Sequence, residues 1–143
     1  MPTYNSTLQF YNQFGLNVGS GAHALPSNTY KVLLVSSSYT PDLEAHTDLS
    51  DITNELSGSG YSRQTLTGVT WTRTGATAKL DFNNPQFSAS GGTLTARRYV
   101  VFDDTANLLM ATGLINDADV DVAITDGNQL TINVAAGGFF TLG

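Results

Sequence analysis

Over most of the chain, apolar side chains recur at every second position. In QTLTGVTWT (64–72), Leu66 and then Val69 and Trp71 stand among threonines, as in a strand with one buried face. The parity switches at Gly68, which suits a β-bulge there. TAKLDF (77–82) alternates Ala78, Leu80 and Phe82 with polar neighbours. In GTLTARRYVVFDD (92–104), Leu94 and Ala96 share a face, and the block Tyr99-Val100-Val101-Phe102 predicts a central strand covered on both sides. KVLLVSSS (31–38), NLLMATGLI, DVDVAI, QLTINV and GFFTL are further strand candidates, the later ones separated by Asn116-Asp117, Asp126-Gly127 and Gly137-Gly138. Turn signals at roughly 8 to 12 residue intervals predict an all-β chain, an antiparallel β-sandwich or jelly-roll-like single domain over 1–143. Asp126-Gly127 is the strongest hairpin signal, because glycine takes up the positive φ that a tight turn requires.

Two segments depart from the period of two. Residues 1–30 mix helical spacing (Tyr4, Leu8, Tyr11, Val18) with alternation (Phe14, Leu16, Val18), and Gly15, Gly19 and Gly21 oppose a long helix. They read as an irregular, aromatic-rich N-terminal arm containing a short strand or a helical turn, packed on the β domain or extending from it. In the connector from Ser38 to Tyr61, Thr40 before Pro41 predicts one helical turn, and Ser50-Asp51-Ile52 the start of a second.

Composition narrows the functions. A chain of 143 residues with 41% hydrophobic side chains suits one core. Its net charge of -6 and its dispersed cations (Lys31, Lys79, Arg63, Arg73, Arg97 and Arg98) argue against tracking a phosphate backbone, so nucleic acid is not an expected partner. The absence of cysteine excludes disulfides, thiolate metal sites and thiol nucleophiles. The N-terminus carries no basic stretch leading into an apolar run, and no apolar run is long enough to span a bilayer. The expectation is synthesis in the cytoplasm with no membrane partner.

The densest candidate chemistry lies in the connector, where Asp42, Glu44, His46, Asp48, Asp51 and Glu55 crowd into a charge-poor chain. A calcium loop needs a glycine at its sharp turn, and none lies between Asp42 and Glu55. Zinc needs more than the lone His46, since the other histidine, His23, sits in the arm. Acid/base work needs burial or a partner to shift a carboxyl, and a connector rich in Thr and Ser offers no reason for one. A polar capping loop is therefore expected. Asp117, Asp119 and Asp121 alternate as on an edge strand that repels pairing by charge, with Arg97 or Arg98 available to one of them and the other free to reach a subunit interface. Neither G-x-S-x-G nor a phosphate loop occurs. No enzyme activity, cofactor or metal is expected.

The order of motifs TYNSTLQFYNQF, GAHAL, TYKVLLVSSSYTP, DLSDITNELSGSGY, SASGGTLTARRYVVFDDT and DGNQLTINVAAGGFFTL, spread over nearly the full length, resembles a family of small structural proteins of tailed-bacteriophage heads. The chain departs from that pattern in Gly15 to Gly21, where relatives look more helical. The resemblance implies a capsid decoration, or cement, protein located in the virion on the capsid surface, whose partners are the major capsid protein and itself as a homotrimer. It carries over no catalytic residue. Aromatic side chains near the termini would then serve as contact residues, since they bring large area for little rotamer entropy. Tyr4, Phe10, Tyr11 and Phe14 of the arm, with Phe139 and Phe140, are the interface candidates, together with Arg97; Phe139 and Phe140 fit equally well as closure of the domain's own core. Another virion component (neck, tail or fibre-associated) and a carbohydrate-binding β-sandwich are the alternatives. Trp71, the single tryptophan, reads as buried, which opposes a sugar platform.

Overall fold

A computed structural model of the chain describes residues 3–5, 8–134 and 138–143, with side chains from Leu8 onward. The elements in order are β1 (Thr3–Asn5), β2 (Leu8–Phe10), α1 (Gln13–Gly19), β3 (Tyr30–Val35), β4 (Gln64–Thr65), β5 (Thr70–Thr74), β6 (Thr77–Asp81), β7 (Gln86–Ser88), β8 (Leu94–Ala96), β9 (Arg98–Asp103), β10 (Leu108–Leu114), β11 (Val122–Ile124), β12 (Gln129–Asn133) and β13 (Phe140–Leu142). The fold is all-β, with antiparallel sheets throughout except that β1 runs parallel to β12. Among the described residues no helix is long and apolar enough to cross a membrane.

One sheet organises the molecule. Its order is β2-β10-β9-β3-β4, and β3 and β9 at its centre are apolar on both faces. Tyr30, Val32, Leu34, Tyr99 and Val101 point to a large core shared with the three smaller sheets, β1-β12-β7, β11-β8 and β13-β6-β5. Leu33, Val35, Val100 and Phe102 point the other way, into a second core closed by Tyr11, Tyr39 and Leu109, with Leu43, Leu49 and Ile52 of the connector packed on it. The block Tyr99–Phe102 is thus covered on both sides because the connector lies over the face that the smaller sheets leave open. In β10 the register slips between Leu109 and Ala111, so Leu109 faces the second core while Met110 and Ala111 face the first.

Three expected elements are built differently. Residues 64–72 do not form one bulged strand: β4 belongs to the central sheet and β5 to another, and Gly68, at φ +64, turns the chain between them. A side chain there would also strike the Asn83 amide, 2.6 Å from an ideal Cβ. Residues 92–104 likewise split at Arg97, so β8 and β9 join different sheets. Asp126-Gly127 does form a tight turn, with Gly127 at φ +81 and the Asn128 amide donating to the Thr125 carbonyl at 2.9 Å. The turn passes the chain from β11 to β12, which pair with other strands, so it is a corner between sheets and not a hairpin.

Candidate binding surface

The acidic connector spends its carboxylates on its own backbone. Asp42 Oδ1 accepts from the amides of Ala45 and Glu44 at 3.0 and 3.1 Å, and these bonds hold its carboxyl below the usual range. Asp51 accepts from the Thr47 and Asp48 amides, with the same consequence. Asp48 and Asp51 form a capping box around the short 3-10 turn Leu49–Asp51, so the turn starts from Asp48 and not from Ser50. His46 Nδ1 lies 2.9 Å from the Tyr39 hydroxyl, which is bonded in turn to Tyr11 at 2.8 Å inside the second core. Glu55 holds Arg63 through two bonds of 2.8 and 2.9 Å and accepts from Tyr61; burial pushes its carboxyl up, and these partners outweigh that and leave it lowered. Among the described residues no group of three or more His, Asp or Glu side chains is arranged to hold a metal. With Asp42, Asp48, Asp51 and Glu55 engaged by local donors, EDTA should leave the melting temperature unchanged. A fall of several degrees that calcium reverses would overturn the capping role.

The N-terminal segment is folded into the molecule. Its glycines still permit α1, which spans only seven residues. Tyr11 and Phe14 are buried, in the second and first core respectively. Phe10 is half-buried, stacks on Phe14 with centroids 4.8 Å apart, and meets Phe139 and Phe140 edge-on at 5.3 and 5.9 Å. Phe139 is buried and Phe140 half-buried. Tyr11, Phe14 and Phe139 therefore stand inside this protomer's core, and the side chain of Tyr4 lies outside the described residues. Among its described residues, the large apolar side chain that this segment leaves in solvent is Leu16, 64% exposed.

Asp117, Asp119 and Asp121 lie in a loop before β11, not on an edge strand, and Asp119 has a φ of +55. Arg97 gathers two of them, with bonds of 3.0 Å to Asp119 and 2.9 Å to Asp121. The guanidinium thereby ties the loop to the junction between β8 and β9.

A polar group that sequence reasoning passed over lies beneath α1. His23, 2% exposed, places Nδ1 2.9 Å from Oδ2 of Asp103, which is wholly buried at the end of β9. The same oxygen accepts from Asn28 Nδ2 at 2.8 Å, and Oδ1 accepts from the Ala106 amide at 3.0 Å. Burial pushes the Asp103 carboxyl up, yet the bonds from His23, Asn28 and Ala106 prevail and hold it below its usual range. His23 Nε2 is buried with no partner. His23 also lines a cleft of about 420 Å³ with Val18, Gly19, Gly21, Ala24, Leu25, Trp71 and Leu142. Trp71 is only half-buried there, contrary to the expectation from its strand pattern, because β5 is the edge of its sheet; its indole stacks on Phe140 at 6.1 Å. Leu142, on the cleft's wall, is 56% exposed.

No family model matches the chain, and no curated protein or solved structure matches it either.

Proposed function

We propose that the chain is a structural protein of a tailed-phage particle, coating the outside of the capsid by docking on the lattice of the major capsid protein as a homotrimer. The observation that carries this reading is the apolar face where α1, β5 and β13 meet. Leu142 is one of the three exposed large hydrophobics among the described residues, and it walls, with the half-exposed Trp71 and with Val18 and Leu25, a cleft that no charged side chain lines. Such a face suits a protein surface, while net acidity is no handicap on the outside of a shell. The order of motifs along the sequence supports the same role. Closure into a trimer would cover strand edges that the small sheets leave open, and layering of one sheet against three smaller ones is how we read the sandwich.

The carbohydrate reading gains a half-exposed Trp71, but the other residues around the cleft are Val18, Gly19, Gly21, Ala24, Leu25, Leu142 and His23, whose side chain is wholly buried, too few polar groups to bind the hydroxyls of a sugar ring. Occupancy on expanded capsids and the mass of the isolated protein test the proposal. Binding at lattice-scale copy number with trimeric mass is the expected result, and Leu142→Glu should weaken binding without lowering stability. A single ring's worth of copies would favour the neck or tail, and a monomer that never populates the shell would overturn the coating role.

A further inference from the structure

Arg98 is a half-buried cation that the fold leaves without a carboxylate. Of the six lysines and arginines, Lys31, Arg63, Lys79 and Arg97 each form an ion pair among the described residues, and the exposed Arg73 donates to the Gly75 carbonyl at 2.8 Å. The Arg98 guanidinium makes neither an ion pair nor a hydrogen bond among those residues, although the chain holds 12 acidic side chains. A planar fork of N–H donors is left over. Along β9, Arg98 alternates onto the face of Val100 and Phe102, the side of the second core, and it pairs with Val35 at the end of β3. Burial pushes the Tyr39 hydroxyl up, while its bond with Tyr11 and the charge of Arg98 oppose the rise, so the charge is felt at a ring of that core. Tyr39 and Arg98 both wall a cleft of about 210 Å³, together with Ser37, Thr40, Arg97 and Asp119. Arg97 is already committed there, through Nε to Asp121 and through Nη1 to Asp119. These two aspartates would repel a doubly charged anion more than a singly charged one. A carboxylate carries one charge, and its two coplanar oxygens match the guanidinium fork.

We infer that this cleft binds a carboxylate group, gripped by the Arg98 fork, with Ser37 and Thr40 on its walls as further hydroxyl donors. A free small acid and an acidic side chain of a neighbouring protein share that chemistry. The sequence pattern leaves one of the two adjacent arginines free to reach outward; the structure spends Arg97 on the aspartate loop, and the outward role falls to Arg98.

The site can be tested on the isolated protein by NMR titration with sodium acetate against sodium chloride at equal ionic strength. Arg73, an exposed guanidinium outside the cleft, is the internal control. Acetate should shift the Arg98 Nε–H resonance saturably, with a Kd about tenfold below that read at Arg73, and chloride should not reproduce the shift. The backbone amides of Ser37 and Thr40 should follow the same curve. In Arg98→Lys, which keeps the charge and loses the fork, those amides should report acetate about tenfold more weakly, and in Arg98→Gln they should not respond. Should either variant fail to fold, the comparison of Arg98 with Arg73 in the unaltered protein decides alone. An Arg98 that titrates no more tightly than Arg73, or as readily with chloride, would be an ordinary solvated guanidinium and would overturn the site. Inorganic phosphate binding more tightly than acetate would overturn carboxylate as the class. Only the source of the group touches the coating role: on capsids, occupancy lost in a stably folded Arg98→Gln assigns the carboxylate to an acidic side chain of the shell, and occupancy kept assigns it to a free acid. A protein that binds acetate at Arg98 and never populates the shell sinks the coating role and leaves the site standing.

Discussion

Phe14→Ala should destabilise the fold by about 3 to 5 kcal/mol, the range for removing a buried aromatic ring from a core that cannot fully collapse around the gap. Phe14 is the ring through which α1 is held. It stacks on Phe10, meets Phe140 edge-on at 5.0 Å and Phe139 at 6.3 Å, and lies 5.5 Å from the His23 imidazole. A helix of seven residues has too few internal hydrogen bonds to persist unaided, so its position depends on that side chain. Truncation would remove the apolar contact and loosen the roof over the His23–Asp103 network. Leu16→Ala on the same helix is the control: with Leu16 64% exposed, its loss should barely move the unfolding midpoint. Denaturant titration of the two variants decides the matter, and equal midpoints would show that Phe14 does not anchor the helix.

The strands were legible where burial is two-sided or strictly alternating. Tyr99–Phe102 announces a central strand because both faces meet apolar layers, and Lys31–Val35 does so for the same reason. The pattern failed where a strand changes sheet. Leu66 and Trp71 look like one strand with a slip, yet the turn at Gly68 sends them to different sheets; alternation records which side is buried and not against which neighbour. Arg97 gives no local sign of a break either: its amide already donates to the Val35 carbonyl of the central sheet, a partner more than sixty positions earlier that the local pattern does not record.

The candidate site was less legible, for a related reason. The acidic connector drew notice because its charges are adjacent in sequence, and that proximity is what lets them cap each other's amides. The pair that matters structurally, His23 and Asp103, is separated by 80 positions. Its one sequence signal is Asp103 closing the apolar block Tyr99–Phe102: a carboxylate continuing a doubly covered strand needs buried donors. Trp71 misled for a different reason, since alternation in an edge strand predicts the face of a residue but not how deeply that face is covered.

Asp103→Ala should cost about 3 kcal/mol, because it removes the acceptor for the buried His23 and for the half-buried Asn28 amide and Ala106 N–H, and leaves a buried imidazole without its partner. Set against a total stability of about 5 to 15 kcal/mol for a domain of ordinary stability, such a loss is expected to lower the melting temperature sharply. Asp103→Asn keeps one acceptor oxygen and should lose less. The two variants should also differ from the parent in their response to acid. The folded carboxyl is held below its ordinary value of 3.8, so its contribution is fully present above the unfolded value and is lost as pH falls through the lower, folded one. The parent should therefore lose stability on acidification across that window, whereas Asp103→Asn, which has no proton to take up there, should show a shallower acid limb once the other carboxylates are common to both. Chemical unfolding at neutral pH and through the acid range measures both quantities. Parallel acid limbs for parent and Asp103→Asn would show that folding does not lower the Asp103 carboxyl, and with it the reading of Asp103 as a carboxylate stabilised by His23, Asn28 and the Ala106 amide would fail.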